Sequence, residues 1–228
     1  MNTDICSSII DAVGHAPVVD LARLTTDIDG NILAKLEYLN PGGSKKDLIA
    51  RAIIQSAEDN GLLQPGQTVI ELTSGNTGNG LAMVCAVKGY PFIAVMSQCN
   101  PPERAAMMRA MGATVVLVEQ GDPRQGITEE DMKRVEDTAN RLATEHNAFR
   151  ADQFKRRENS QAHYEHTGPE WLRQTNGRID AFCDFVGTGG GFAGVARAFK
   201  EHNPSIGCYI VEPHGAAKLA GSRITCCS

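Results

Sequence analysis

Three short segments hold the residue types that do covalent and anion chemistry. The first, Asn40-Pro41-Gly42-Gly43-Ser44-Lys45-Lys46-Asp47, sets two lysines in the first turn of a helix, where the macrodipole disfavours positive charge by about 0.3–1 kcal/mol. A lysine that is also buried there holds its proton less tightly, and the neutral amine attacks an aldehyde to form a Schiff base. The pattern alone does not choose between Lys45 and Lys46, since one of the pair can project into water. The second segment, Thr73-Ser74-Gly75-Asn76-Thr77-Gly78, offers several neutral donors to a carboxylate at the carboxyl edge of a sheet, where open α/β folds bind ligands. Helix capping by Ser74 or Asn76 would explain one of these residues, not five. The third, Gly187-Thr188-Gly189-Gly190-Gly191, lets a ligand approach the backbone while the N–H groups of the next helix point outward at an anion such as phosphate. Four glycines in five positions exceed what a tight turn requires.

A nicotinamide dinucleotide reading competes for the third segment. Gly189-x-Gly191-x-x-Gly194 matches the dinucleotide-binding fingerprint, and Glu212 ends the next strand, near the spacing at which an acidic residue meets a ribose. Only one further strand follows, which leaves no room for the second mononucleotide half.

The elements that must position these segments alternate from residue 31 onward. Strands are expected at Ile32 to Leu39, Thr68 to Leu72, Phe92 to Ser97, Thr114 to Glu119, Ala181 to Gly187 and Cys208 to Val211, apolar runs rich in β-branched or aromatic residues. Helices lie between them. Ser44-x-x-Asp47 and Thr128-x-x-Asp131 read as capping boxes, the second before a helix whose Met132, Val135, Ala139 and Leu142 share a face. Leu81 to Val87 is apolar all round and predicts a buried helix, with Gly89 and Gly112 as C-terminal stops. Strands too apolar to keep a wet face indicate an α/β fold with a largely parallel sheet covered on both sides. The stretch Glu119 to Gly126 reads as a loop, and Lys155-Arg156-Arg157 as a solvated helix start.

Composition narrows the function classes. The 228 residues are 42% hydrophobic and 21% charged with a formal charge of −5, which fits a globular protein acting on small molecules and argues against a nucleic-acid surface or a polybasic membrane patch. No run approaches the roughly 20 apolar residues of a membrane span, and no signal peptide is visible, so a cytoplasmic location is expected. Seven cysteines without Cys-x-x-Cys spacing, three of them (Cys85, Cys183, Cys208) inside apolar runs, read as reduced, mostly structural thiols. The six histidines form no ligand cluster, so no metal is expected.

Taken in order and separation, Asn-Pro-Gly-Gly-Ser-x-Lys-Asp, Thr-Ser-Gly-Asn-Thr-Gly and Gly-Thr-Gly-Gly resemble the cysteine synthase and cystathionine β-synthase family, pyridoxal-phosphate enzymes of the tryptophan-synthase-β fold. The likeness runs from Gly14-His15-Ala16-Pro17 through Ala151-Asp152-Gln153-Phe154 and His166-Thr167-Gly168-Pro169-Glu170 to Val211-Glu212-Pro213. It implies pyridoxal phosphate as cofactor, with Lys46 as the Schiff-base lysine and Asn76 on the cofactor's 3′ oxygen. Gly187, Thr188, Gly189, Gly190 and Gly191 would hold the phosphate, and Thr73, Ser74, Gly75, Thr77 and Gln153 the substrate carboxylate. It further implies β-replacement on an O-activated L-serine, most simply cysteine synthesis, by a homodimer. Two subdomains with largely parallel open sheets are expected: residues 41–149 as the small one, 1–40 and 150–228 as the large one. The chain departs from the family at Gly191, where threonine or serine is usual, at Lys45 and Leu48, and at Pro101-Pro102-Glu103-Arg104. Its last residues, Gly221 to Ser228, do not resemble the family's continuation, so an incomplete large subdomain is expected, with exposed apolar strand edges and, as an alternative function, a catalytically impaired homologue acting through a partner.

Overall fold

The computed structural model describes residues 5–73, 75–121 and 128–213. Its centre is a four-stranded parallel sheet of order β5-β4-β3-β6, built from β3 (Val69–Leu72), β4 (Phe92–Ser97), β5 (Thr114–Val118) and β6 (Phe149–Arg150). Successive side chains go to opposite faces. Val69, Phe92, Ala94 and Met96 pack into one cluster with α1 (Lys46–Asp59), α2 (Asn76–Lys88) and α3 (Pro102–Ala110). Ile70, Ile93 and Val95 face the other way, against Val135 and Ala139 of α4 (Glu129–Glu145). Both faces of β4 are therefore dry, and every residue of that strand is buried, as its unbroken apolar run requires.

α2 forms as its composition predicts, buried from Thr77 to Cys85 and ended by Gly89 in the left-handed region, although Val87 is exposed. Gly112 likewise follows α3 with positive φ. The capping box at Thr128 and Asp131 is formed. The one expected at Ser44 and Asp47 is not: the Asp47 carboxylate turns back to accept the Gly42 N–H at 2.5 Å, and Lys45 occupies the N-cap position with helical angles. A β-carbon at Gly42 would meet that carboxylate, so glycine is what lets the turn fold onto the helix.

A second unit carries α5 (Glu158–Ala162), a π-helical turn His163–Thr167, α6 (Gly168–Gln174), β7 (Ala181–Phe185), α7 (Gly190–His202) and β8 (Gly207–Val211). β7 and β8 pair in parallel and cover α7 through Phe182 and Cys208, which pack on Val195, Phe199 and Ile206. Here the expectation of strands without a wet face fails. β7 alternates exposed and half-buried residues, and Phe185, Tyr209, Ile210 and Val211 stand exposed; among the described residues, helices pack on one face of this sheet. Cys183 is exposed with them, whereas Cys85 is buried in the main core.

The strand expected from Ile32 to Leu39 is shorter, with β2 spanning Leu33–Lys35 and a 3₁₀ turn following at Glu37–Leu39. β2 pairs antiparallel with β1 (Val18–Asp20). Asn40, buried after that turn, accepts from the Gly14 N–H and donates to Glu37, tying the N-terminal segment to the lysine turn.

Candidate active site

The lysine turn and the third glycine segment meet. Lys46, the first residue of α1, places its amine 3.3 Å from the Thr188 hydroxyl. Burial, followed by the charge of neighbouring Lys45, lowers its pKa to about 8. Near pH 7.5 about a quarter of such an amine is neutral, against about a thousandth for an ordinary lysine. That is the protonation state a nucleophilic or proton-abstracting lysine needs.

A hydrogen-bonded chain joins all three segments. Thr77, in the first turn of α2, donates to the Gln153 carboxamide oxygen at 2.5 Å. The Asn159 amide N–H₂ donates to the Gln153 carbonyl and to the Thr188 hydroxyl, both at 2.9 Å, and Thr188 reaches Lys46. Asn159 is buried, and a β-carbon at Gly190 would overlap its amide. Nothing in the sequence spacing singles out Asn159, because its role exists only once α5 packs behind the glycine turn. The helices close up on the other side as well. A β-carbon at Gly80 would sit 3.1 Å from the Lys46 carbonyl, so α2 and the lysine turn abut.

The second segment divides its labour. The Thr73 hydroxyl oxygen accepts the N–H groups of Gly75 and Gly78, at 3.1 and 3.0 Å, so the Thr73 hydroxyl caps the first turn of α2. Thr73, Gly75 and Thr77 are buried, and Asn76 opens α2 with an exposed side chain. Ser74 lies outside the described residues. Glu71, at the end of β3, is buried, and burial pushes its carboxyl up to about 8 while the backbone N–H groups of Asp152 and Gln153 donate to it. His163 hydrogen-bonds Thr167 at 2.9 Å, and burial together with the charges of Lys45 and Lys46 lowers its pKa to about 3, so its ring stays neutral.

The third segment has the form of an anion seat. Gly189 takes φ +81° as the N-cap of α7, Gly190 and Gly191 open the helix, and β-carbons at Gly187 and Gly189 would meet nothing within 4 Å. Outward N–H groups, a helix N-terminus, free space and an amine of lowered pKa at one end suit a phosphate ester that carries an aldehyde. Pyridoxal phosphate fits these residues.

Known proteins share this architecture. The family model described as pyridoxal-phosphate dependent enzyme matches residues 9–226. A cysteine synthase of Staphylococcus aureus is 40% identical over 217 residues, which cover 95% of this chain and 67% of that protein. The crystal structure of a hydrogen sulfide-producing enzyme from Fusobacterium nucleatum superposes with a TM-score of 0.88 at 39% identity, covering 96% of this chain and 69% of the other. O-acetyl serine sulfhydrylase isoform 3 of Entamoeba histolytica gives 0.85 at 36%, covering 97% and 65%. The chain thus spans about two-thirds of the length of these relatives. By sequence and by fold, it belongs to the family of pyridoxal-phosphate-dependent enzymes.

Proposed function

We propose that the chain catalyses β-replacement on an O-activated L-serine, most simply the conversion of O-acetylserine and sulfide to cysteine and acetate. The observation that carries this reading is the Lys46 amine, with its lowered pKa, lying 3.3 Å from the hydroxyl of the glycine-rich turn. The names of the S. aureus and E. histolytica relatives supply the substrate class. Pyridoxal phosphate, when bound, supplies an electron-withdrawing ring that accepts negative charge developing at the substrate's α-carbon.

The chain's own residues bind, orient and move the proton. The backbone N–H groups of Gly187, Thr188, Gly189, Gly190 and Gly191 would hold the cofactor's phosphate at the start of α7. Asn76, exposed at the start of α2, would hydrogen-bond the cofactor's 3′ oxygen. Thr73, Ser74, Gly75, Thr77 and Gln153 hold the substrate carboxylate, and the Thr77 to Gln153 hydrogen bond leaves the Gln153 N–H₂ to donate. Neutral Lys46 takes the proton from Cα and, once acetate has left and sulfide has added at Cβ, returns it. In this reading residues 41–149 form a small subdomain carrying the lysine and carboxylate segments, 1–40 and 150–228 a large one carrying the phosphate turn, and the protein is a cytoplasmic homodimer. Among the described residues no helix is long and apolar enough to cross a membrane. The exposed Phe185, Tyr209, Ile210 and Val211 favour a second reading, a catalytically impaired chain acting through a partner.

The visible spectrum of the purified protein separates the two. A yellow band from lysine-linked cofactor is expected, lost in Lys46→Ala and shifted by O-acetylserine. A band that persists in Lys46→Ala overturns the assignment of Lys46, and a band that forms but ignores O-acetylserine favours the partner reading.

A further inference from the structure

Lys45 has so far acted only through the charge it sets beside Lys46 and His163, and its surroundings give it a direct contact of its own. Its ammonium bonds the Asp184 carboxylate at 2.5 Å, lies 5.1 Å from the centroid of the Phe185 ring, and stands 3.4 Å from where a side chain at Gly191 would begin. Gly191 is the second residue of α7, so a cation sits against the positive end of a helix dipole, where the field disfavours it. Lys45 is itself the N-cap of α1. Two helix N-termini and the Lys45 ammonium therefore converge on the Thr188 turn, and among the described residues the carboxylate bonded to that ammonium is Asp184. The two helix ends add positive potential to that of the ammonium. A phosphate monoester, carrying about −1.5 to −2 near neutral pH, would balance it. Two of the chain's sequence departures, Lys45 and Gly191, thus meet in space, the missing side chain of one making room for the ammonium of the other.

We propose that Lys45 anchors the cofactor: held at the start of α7 by Asp184, its ammonium donates to the phosphate seated on Gly187–Gly191 and supplies the contact that a side chain at position 191 does not. The assignment rests on the pyridoxal-phosphate reading. Asp184, in turn, acts as a positioning residue whose own charge opposes the phosphate.

The test titrates cofactor-free protein with pyridoxal phosphate and, separately, with pyridoxal, which lacks the phosphate. Lys45→Met is expected to weaken pyridoxal phosphate at least about tenfold more than pyridoxal, the size of a charge-assisted hydrogen bond; any loss common to both ligands reports the rise in the Lys46 pKa once the neighbouring charge is gone. Lys45→Arg should retain most of the affinity. Adding Gly191→Thr to Lys45→Met should recover part of it, because a hydroxyl then donates from the same place. Asp184→Asn, whose carboxamide oxygen still accepts from the Lys45 ammonium while the opposing charge is gone, should bind pyridoxal phosphate as tightly as wild type or more so. Equal losses for both ligands, or matching losses in Lys45→Met and Asp184→Asn, would show the ion pair to be merely structural and overturn the proposal. Wild-type protein that binds neither ligand overturns the cofactor reading, and this one with it.

Discussion

Two strand-to-helix turns in this molecule are rich in glycine for opposite reasons. At the second segment the glycines are crowded: in the turn between β3 and α2 a β-carbon at Gly75 would meet Arg104, and inside α2 one at Gly78 would overlap Met108 and Thr73 and one at Gly80 would press on α1. Between β7 and α7, Gly187 and Gly189 face open space, and crowding returns only inside the helix, where Gly190 meets Asn159 and Gly194 meets Ser160. Glycine in the first turn lets elements pack, and in the second it leaves room for something else. A count of glycines cannot separate the two cases. The space around each one can.

The acidic residues on the two strands differ in the same sense. Glu71 is sealed in, whereas Asp184 pairs with Lys45 at the edge of the site. A carboxyl whose pKa rises from 4.5 to about 8 on folding keeps its proton in the folded state after the unfolded chain has lost it, so its contribution to stability is present below about pH 4.5 and is lost as pH rises to about 8. Subtracting the stability of wild type from that of Glu71→Gln at each pH isolates this group from Asp47 and His163. The difference should climb in favour of the variant across that window, by on the order of a few kcal/mol as an upper figure, in urea titrations from pH 4 to 9. A flat difference would mean that burial does not hold the proton on Glu71, and the contrast between the turns would lose its electrostatic half.

The packing half is tested at Gly78. Its added β-carbon has no free volume, because Met108 and Thr73 are both buried, so Gly78→Ala should cost about 1–3 kcal/mol through overpacking. The same substitution should weaken the Thr73 cap, whose hydroxyl accepts the Gly78 N–H. Unchanged denaturation midpoints would show that this turn has slack and that its glycines are not there for packing.

How far the sequence spoke depended on whether the cause was local. β4 was legible to the residue, since Phe92–Ser97 is an unbroken apolar run between polar and glycine boundaries, and so was the Thr128 box, whose partners lie three residues apart. β1 and β6, of three and two residues, carry too little pattern to be seen. The capping box at Ser44 was misread because Asp47 had a better donor in Gly42, which only the folded turn supplies. The exposed face of β7 and β8 was hidden for a related reason: an apolar strand looks the same whether one or two layers cover it. At the candidate site, Lys46, Thr188 and Thr77 stand out from their motifs and Gln153 from the family resemblance, and the structure brings them into one hydrogen-bonded chain. Asn159 and the Lys45 to Asp184 pair were not found, because each joins segments far apart in the chain.

The smallest effect on folding is the sharpest test of the comparison. Gly187 does not adopt a positive φ, and a β-carbon there meets nothing within 4 Å. Gly187→Ala should therefore leave stability within about 0.5 kcal/mol of wild type or raise it slightly, since alanine loses less backbone entropy on folding. Binding should move instead. The new methyl group would stand in the space assigned to the phosphate, and the affinity for pyridoxal phosphate should fall about tenfold while thermal unfolding of the cofactor-free protein hardly shifts. A loss of stability like that of Gly78→Ala would make the two turns alike. Unchanged affinity with unchanged stability would mean that the open space at residue 187 is not where the phosphate sits, and the seat would have to be sought nearer Gly190 and Gly191, beside the Lys45 ammonium.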